Sequence, residues 1–253
     1  MLTLRFCILF ILGSAVAGSI AQPIPAERLQ RLRQLPVLCY HNIRQDAVTA
    51  NQLYISTLQL KRQLQTLRDS GFQSVLPDQV HAFYYEGTPL PSKAFLITFD
   101  DAHLQHATLA APLLERYGFR GVFFIMSVTL NKKGFLNEQQ IKELHQRGHT
   151  IGAHTWDHPN LAKSSSVNWN LQLTKPKQQL ERITGKPVTS FAYPYGAWNR
   201  ASLQELNRRG IHTAFQLTNA MDSAHPLLTL RRLMIHGNWS GPVLLTRLQS
   251  VFQ

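Results

Sequence analysis

Seven short runs of aliphatic, β-branched and aromatic residues recur along the chain, at 36–41, 94–99, 121–126, 150–153, 188–192, 213–217 and 230–235. Between them the apolar positions change to a spacing of three and four: Leu58, Leu64 and Leu67, then 104–117, 138–147, 171–183, 203–209 and 243–252. The short runs read as buried strands and the longer patterns as amphipathic helices. Gly71, Gly118, Gly148, Gly185 and Gly210 each follow a helical stretch, where a left-handed residue ends a helix at little cost. Strands alternating with helices predict βαβ units and a parallel sheet. About seven such repeats, with no internal linker or low-complexity tract, predict one α/β barrel rather than two domains.

The start of the chain lies outside this alternation. Residues 1–21 hold one charge, Arg5, then the apolar run 6–12, then two small-x-small exits, Ala15-Val16-Ala17 and Ser19-Ile20-Ala21. That order describes a secretory signal peptide. Its apolar core is shorter than the roughly 20 residues a comfortable membrane span needs, and an uncleaved anchor is the alternative. Residues 22–35 read as a polar, helix-prone lead-in, 36–253 as the domain, and 163–170 as a surface loop. About 230 residues beyond the leader are enough for one substantial core.

Charge narrows the partners. The chain has 26 Lys and Arg against 14 Asp and Glu, a formal net charge of +12. Such an excess favours anionic surroundings, and nucleic acid is the first candidate. Export argues against it, and the basic residues are dispersed, so the expectation is an envelope-compatible surface and no nucleic-acid partner. Cys7 falls in the leader, which leaves Cys39 alone and excludes an intrachain disulfide. Cys39 sits in an apolar run and reads as a small buried hydrophobe, with a catalytic thiol as the alternative.

Candidate chemistry gathers where strands end. The run 94–99 stops at Asp100-Asp101, and carboxyl ends of parallel strands are where α/β sites are built. Adjacent acids on an extended chain point different ways, so one can bind a metal while the other stays free. Capping of a helix near His103 is the alternative use. The run 150–153 leads into His154 and His158, four apart, which brings both imidazoles to one side of a turn. Two imidazoles and one carboxylate make a three-ligand set with an open position. Zinc suits such a set, and cobalt, nickel or iron are alternatives. After 188–192 comes Tyr193-Pro194-Tyr195-Gly196-Ala197-Trp198, whose aromatic faces suit sugar rings and whose backbone N–H can face an oxyanion. A turn packed on the barrel rim is the plainer reading of that loop.

Thr98-Phe99-Asp100-Asp101, His154-Thr155-Trp156-Asp157-His158 and Phe191-Ala192-Tyr193-Pro194-Tyr195-Gly196 resemble, in that order, the first three motifs of the NodB-like polysaccharide deacetylases, carbohydrate esterase family 4. The resemblance spans roughly residues 36–240 and implies a distorted (β/α)7 barrel, in agreement with the seven runs. Carried over by position, it implies Asp100 as general base, Asp101, His154 and His158 as metal ligands, and the Tyr195 N–H as oxyanion donor. Leu233-Met234-Ile235-His236 resembles a late motif whose His is the general acid, against an ordinary rim histidine. The family's third motif usually carries Arg where this chain has Ala192, and that Arg pairs with the base. Arg232 is the favoured replacement and Arg231 the second. The Phe-Ala-Tyr-Pro-Tyr-Gly variant, with Pro36-Val37-Leu38-Cys39-Tyr40-His41, is more similar to the subgroup acting on poly-N-acetylglucosamine. In that subgroup His41 would line the site or touch substrate, while a core-edge histidine is the alternative.

Together these features imply metal-dependent hydrolysis of N-acetyl groups from an envelope or extracellular polysaccharide, in the periplasm or after secretion. Tyr193, Pro194, Tyr195, Trp198 and His41 would meet the polymer. Deacetylation of peptidoglycan or acetylated xylan, or a catalytically silent glycan-binding role, are the competing readings.

Overall fold

Each of the apolar runs forms a strand in the computed structural model, which describes residues 24–45, 51–163, 166–217 and 220–252. The leader reading of residues 1–21 lies outside the described residues. Among those described, no helix is long and apolar enough to cross a membrane. In chain order, α1 (Ala26–Arg33) leads to β1 (Val37–Tyr40), the pair β2 (Asn42–Arg44) and β3 (Tyr54–Ser56), and α2 (Thr57–Asp69). Then come β4 (Gln73–Ser74), α3 (Pro77–Glu86), β5 (Ala94–Phe99), α4 (Ala111–Arg116), β6 (Val122–Ile125) and α5 (Glu138–Gln146). The second half runs β7 (Thr150–Ala153), α6 (Lys175–Thr184), β8 (Ser190–Ala192), α7 (Arg200–Arg208) and β9 (Thr213–Gln216). It ends with β10 (Leu230–Arg231), β11 (Leu233–Met234) and α8 (Gly241–Phe252).

Every strand pair is parallel, in the order β10-β9-β8-β7-β6-β5-β1-β11, with β4 added beside β5. The seventh run, expected as one strand, is split. Leu230–Arg231 pairs with β9 while Leu233–Met234 pairs with β1, and Arg232 is the step between them. One segment therefore reaches both ends of the eight-strand path and brings it to a nearly closed α/β barrel, the expected architecture. The strand period of two sorts side chains into an inner and an outer core. Val37, Leu96, Val122, Phe124, Ala192 and Phe215 fill the barrel, whereas Leu38, Phe95, Ile97, Phe123 and Phe191 pack outward against the helices. Each fully buried side chain of this kind contributes roughly 1.5–3 kcal/mol.

Helix starts follow ordinary capping: Ser56, Asn137 and Asn199 accept backbone N–H groups in the first turns of α2, α5 and α7. The helices expected over 104–117 and 171–183 differ from a plain α-helix. Each begins with a π-turn, His106–Ala110 and Asn170–Thr174, before α4 and α6. Pro112 and Pro176 follow just inside the α-helical parts. A proline removes one helical hydrogen bond and crowds the carbonyl four residues back, which a wider turn relieves. Helix α3 was not foreseen because it buries only Pro77, Val80 and Tyr84, too sparse a stripe to stand out.

Candidate active site

Because the strands are parallel, the residues that follow β1, β5, β7, β8 and β11 collect at one end of the barrel. His41, Asp100, Asp101, His154, Tyr195 and His236 all belong to these exits. Their backbone is unusual. Of the six non-glycine residues with positive φ among those described, Asp101 (77°), Ala102 (60°), Thr155 (65°), His158 (65°) and Tyr195 (59°) lie in the three motif loops. Left-handed backbone at such residues costs on the order of 1–3 kcal/mol each and is retained where function needs the geometry. The Thr155 hydroxyl accepts the His158 N–H at 3.0 Å, tying the two ends of that turn. Gly196 must be glycine, since a Cβ there would sit 2.4 Å from the Leu217 backbone nitrogen.

Asp100 points into the barrel at the end of the inner row of β5 and is 1% exposed. Arg232 meets it with a two-pronged contact, Nη1 to Oδ1 at 2.7 Å and Nη2 to Oδ2 at 2.8 Å. The same Nη1 donates to the Thr98 hydroxyl at 3.2 Å, and the guanidinium lies 5.7 Å from the centre of the Phe124 ring. Burial works against the charged carboxyl, yet the Arg232 guanidinium, with His154 and His41, outweighs it and holds Asp100 at about 2. Arg231, one residue earlier, turns the other way: it donates to the Val251 carbonyl and stacks over Phe252. The cation that faces Asp100 thus comes from the step between β10 and β11, and Ala192, which faces the same interior, carries no charge.

Asp101, His154 and His158 form a compact donor group. The Nε2 atoms of His154 and His158 lie 3.5 and 3.8 Å from Asp101 Oδ1, a span that one ion with ligand bonds of about 2.0–2.2 Å covers. His154 Nδ1–H donates to the Ala192 carbonyl at 2.8 Å, so Nε2 carries the lone pair and faces the group. That Nε2 is buried and has no hydrogen-bond partner. An orphaned imidazole nitrogen aimed at a carboxylate fits a divalent cation. Burial lowers the pKa of His154, but Asp100 and Asp101 reverse this and raise it, so the spot favours positive charge.

His41 reaches the same centre from β1, its Nε2 3.9 Å from Asp100 Oδ2. Cys39 is buried, as a small hydrophobe would be, but its S–H also points at Asp100 Oδ2, 3.7 Å away. Burial pushes the thiol pKa up, which leaves it a neutral donor rather than a nucleophile. Cys39, His41 and Asp100 form a second donor cluster. Arg232 already occupies both Asp100 oxygens, so this cluster is less suited to a cation. His106 was missed in the sequence. It is buried in the first π-turn, and its Nε2–H donates to the His41 carbonyl at 2.7 Å. A polar residue on a core-facing helical row with Ala110 and Leu114 was the available signal.

Other expected site residues fall elsewhere. His236 accepts the Asn238 N–H and stacks on Trp239, and no hydrogen bond or ion pair joins it to Asp100 or Asp101 among the described residues. Tyr193, expected to meet the polymer, is fully buried. Ala192 faces the barrel interior, so the next side chain turns to the outer core, where the Tyr193 hydroxyl donates to the Leu228 carbonyl at 3.0 Å. Pro194 is also buried. Trp198 is half-buried against the outer core, and Tyr195 is 63% exposed with its ring against His158.

The profile of one family, polysaccharide deacetylase, matches residues 87–214, just over half of the chain and all three motif loops. The chain belongs to this family. YxkH of Bacillus subtilis (strain 168) is 26% identical over 183 residues, 72% of this chain and 64% of that protein. The poly-beta-1,6-N-acetyl-D-glucosamine N-deacetylase of Escherichia coli (strain K12) is 22% identical, over 79% of this chain and 36% of that enzyme. This deacetylase-family chain thus spans less than two thirds of the length of the curated relatives it matches. Among solved structures, the Streptococcus pyogenes deacetylase PplD in complex with acetate superposes with a TM-score of 0.75 at 25% identity, over 84% of this chain and 96% of that one.

Proposed function

We propose that the chain is a metal-dependent N-deacetylase of an N-acetylated polysaccharide, with envelope poly-N-acetylglucosamine as its substrate. The observation that carries this reading is a buried, ionised Asp100 clamped by Arg232 and set 3.9 Å from His154, a member of the donor group. Asp101, His154 and His158 would hold the cation, for which zinc suits the donors best and cobalt, nickel or iron are alternatives. When bound, that cation polarises the acetyl carbonyl and acidifies water.

The chain's own groups supply the remaining steps. Asp100 takes the proton of the attacking water, while Arg232 keeps the carboxyl ionised and fixes its direction. The Tyr195 N–H, presented by a left-handed turn, donates to the oxyanion. Protonation of the departing amine falls to His236, as the family resemblance implies; His41 stands beside Asp100, but burial lowers its pKa below the ordinary 6.5 and favours its neutral form. Acid–base assistance of this kind is worth on the order of 10²–10⁴-fold. The exposed Tyr195 ring offers a face to a sugar, and Trp198 supports the loop behind it.

The substrate assignment draws on the name of the Escherichia coli relative, and the acetate bound to PplD is the product such a reaction releases. A polymer of this class lies outside the cytoplasm, which agrees with the exported, periplasmic or secreted location read from residues 1–21. The net charge of +12 suits contact with an anionic envelope. The test is acetate release from β-1,6-linked N-acetylglucosamine oligomers by zinc-loaded protein and by Asp100→Asn. Release by the parent and a fall of about 10²–10⁴-fold in the variant is the expected result. Equal release by both removes Asp100 as base. Release only from peptidoglycan or acetylated xylan would replace the polymer and leave the site reading in place.

A further inference from the structure

The second π-turn carries a side chain that none of the preceding chemistry uses. Gln172 lies in Asn170–Thr174, just ahead of α6, and is 7% exposed. Its amide makes two directed contacts with the loop between His154 and His158. Oε1 accepts the Trp156 N–H at 3.1 Å, and Nε2–H donates to Asp157 Oδ1 at 2.8 Å. Both contacts fall between the two histidines, in a turn where Thr155 and His158 are held at φ of 65°. The next residue, Leu173, is fully buried in the outer core, so the turn anchors Gln172 from behind. The carbonyl four residues before Pro176 belongs to Gln172, so the widened turn lies at this residue.

We infer that Gln172 is a positioning residue that holds the His154–His158 loop in its ligand-bearing shape. Left-handed backbone at Thr155 and His158 relaxes unless something outside the turn opposes it. The hydroxyl of Thr155 acts within the turn, whereas Gln172 ties the turn to a helix of the barrel. Its grip is on residues 156 and 157, so it acts on both imidazoles at once. The inference rests on the reading of Asp101, His154 and His158 as a metal group.

The polarity of the Gln172–Asp157 contact makes it testable by exchange. Gln172→Glu keeps the acceptor for the Trp156 N–H but sets two carboxylates against each other. Adding Asp157→Asn returns a donor on the opposite side and remakes the bond. Zinc affinity is measured by competition with a chromophoric chelator, beside acetate release by the parent. Gln172→Leu is expected to bind zinc about 10–100-fold more weakly, the usual cost of losing an outer partner of a metal ligand. Gln172→Glu should also weaken, and Gln172→Glu with Asp157→Asn should return to within about threefold of the parent. If Gln172→Leu does not fold, the exchange pair carries the test. A parent that binds zinc and releases acetate, with Gln172 variants that bind zinc equally well, overturns this inference alone. A double variant no tighter than Gln172→Glu overturns it as well. A parent that takes up no zinc overturns both this and the metal reading.

Discussion

Two buried histidines bracket β7, and they lead different lives. His149 stands at the amino end of the strand with both ring nitrogens satisfied. Its Nδ1 accepts the Gly121 N–H at 3.0 Å, and its Nε2–H donates to Glu115 Oε1 at 2.9 Å, which also accepts Arg147 at 2.8 Å. His154 stands at the carboxyl end with only Nδ1–H engaged, on the Ala192 carbonyl, and Nε2 left without a partner. One residue type on one strand thus serves as a closed structural joint at one end and as an open donor at the other. Most buried polar atoms are satisfied, and this open one faces the Asp101 carboxylate in the donor group. In parallel barrels the carboxyl-end face carries chemistry and the amino-end face carries stability, and these two rings divide along that line.

The contrast is broken most severely at His154. His154→Ala should abolish stoichiometric zinc binding and reduce acetate release by more than the roughly 10–100-fold that an outer partner costs. Metal analysis after dialysis, beside a rate assay, checks this; a variant that keeps its zinc would sink the contrast. The next effect is on the pair that closes the barrel. Arg232→Leu leaves the Asp100 carboxylate buried and unpaired, and urea unfolding should show a loss of about 3–5 kcal/mol. A smaller loss would mean that water reaches Asp100.

At the other end, His149→Leu should cost about 1–3 kcal/mol by leaving the Gly121 N–H and Glu115 without their partner. Turnover per folded molecule should stay at the parent level, and a variant of normal stability but no activity would contradict the assignment. The mildest effect is that of pH. Burial lowers the pKa of His149 below the ordinary 6.5, even with Glu115 beside it. Burial opposes the charge on Glu115, but Arg147 and His149 prevail and hold its pKa below the ordinary 4.5. The unfolded chain therefore binds protons more readily at both residues. Stability present above about pH 6.5 should decline as pH falls through His149 and then Glu115. Urea titrations between pH 7.5 and 4 read this slope, which should flatten in His149→Leu.

Much of the site was legible because its parts are close in sequence. Asp100 and Asp101 end one strand, His154 and His158 share one turn, and Tyr195 follows another strand, so period and spacing singled out these loops, and the family resemblance gave the residues their expected roles. The burial of Tyr193 was not legible because an aromatic loop reads as one sticky surface, whereas the strand period sends alternate side chains to opposite cores. Cys39 read correctly as buried, but its contact with Asp100 depends on β1 lying beside β5. The π-turns were hidden inside ordinary helical patterns, although Pro112 and Pro176 were the signal for them.

By itself the sequence determined the alternating strands and helices and the parallel barrel, which depend on local period, and the loops of the donor group, whose spacing matched the motifs of a family it resembles. Only the tertiary structure decided that Arg232 rather than Arg231 faces Asp100, across 132 residues of chain. It also decided that His41 stands beside that carboxylate. The reason is physical. A side chain's neighbours are set by which way its strand turns it and by where the sheet closes, and closure happens within a single residue between β10 and β11.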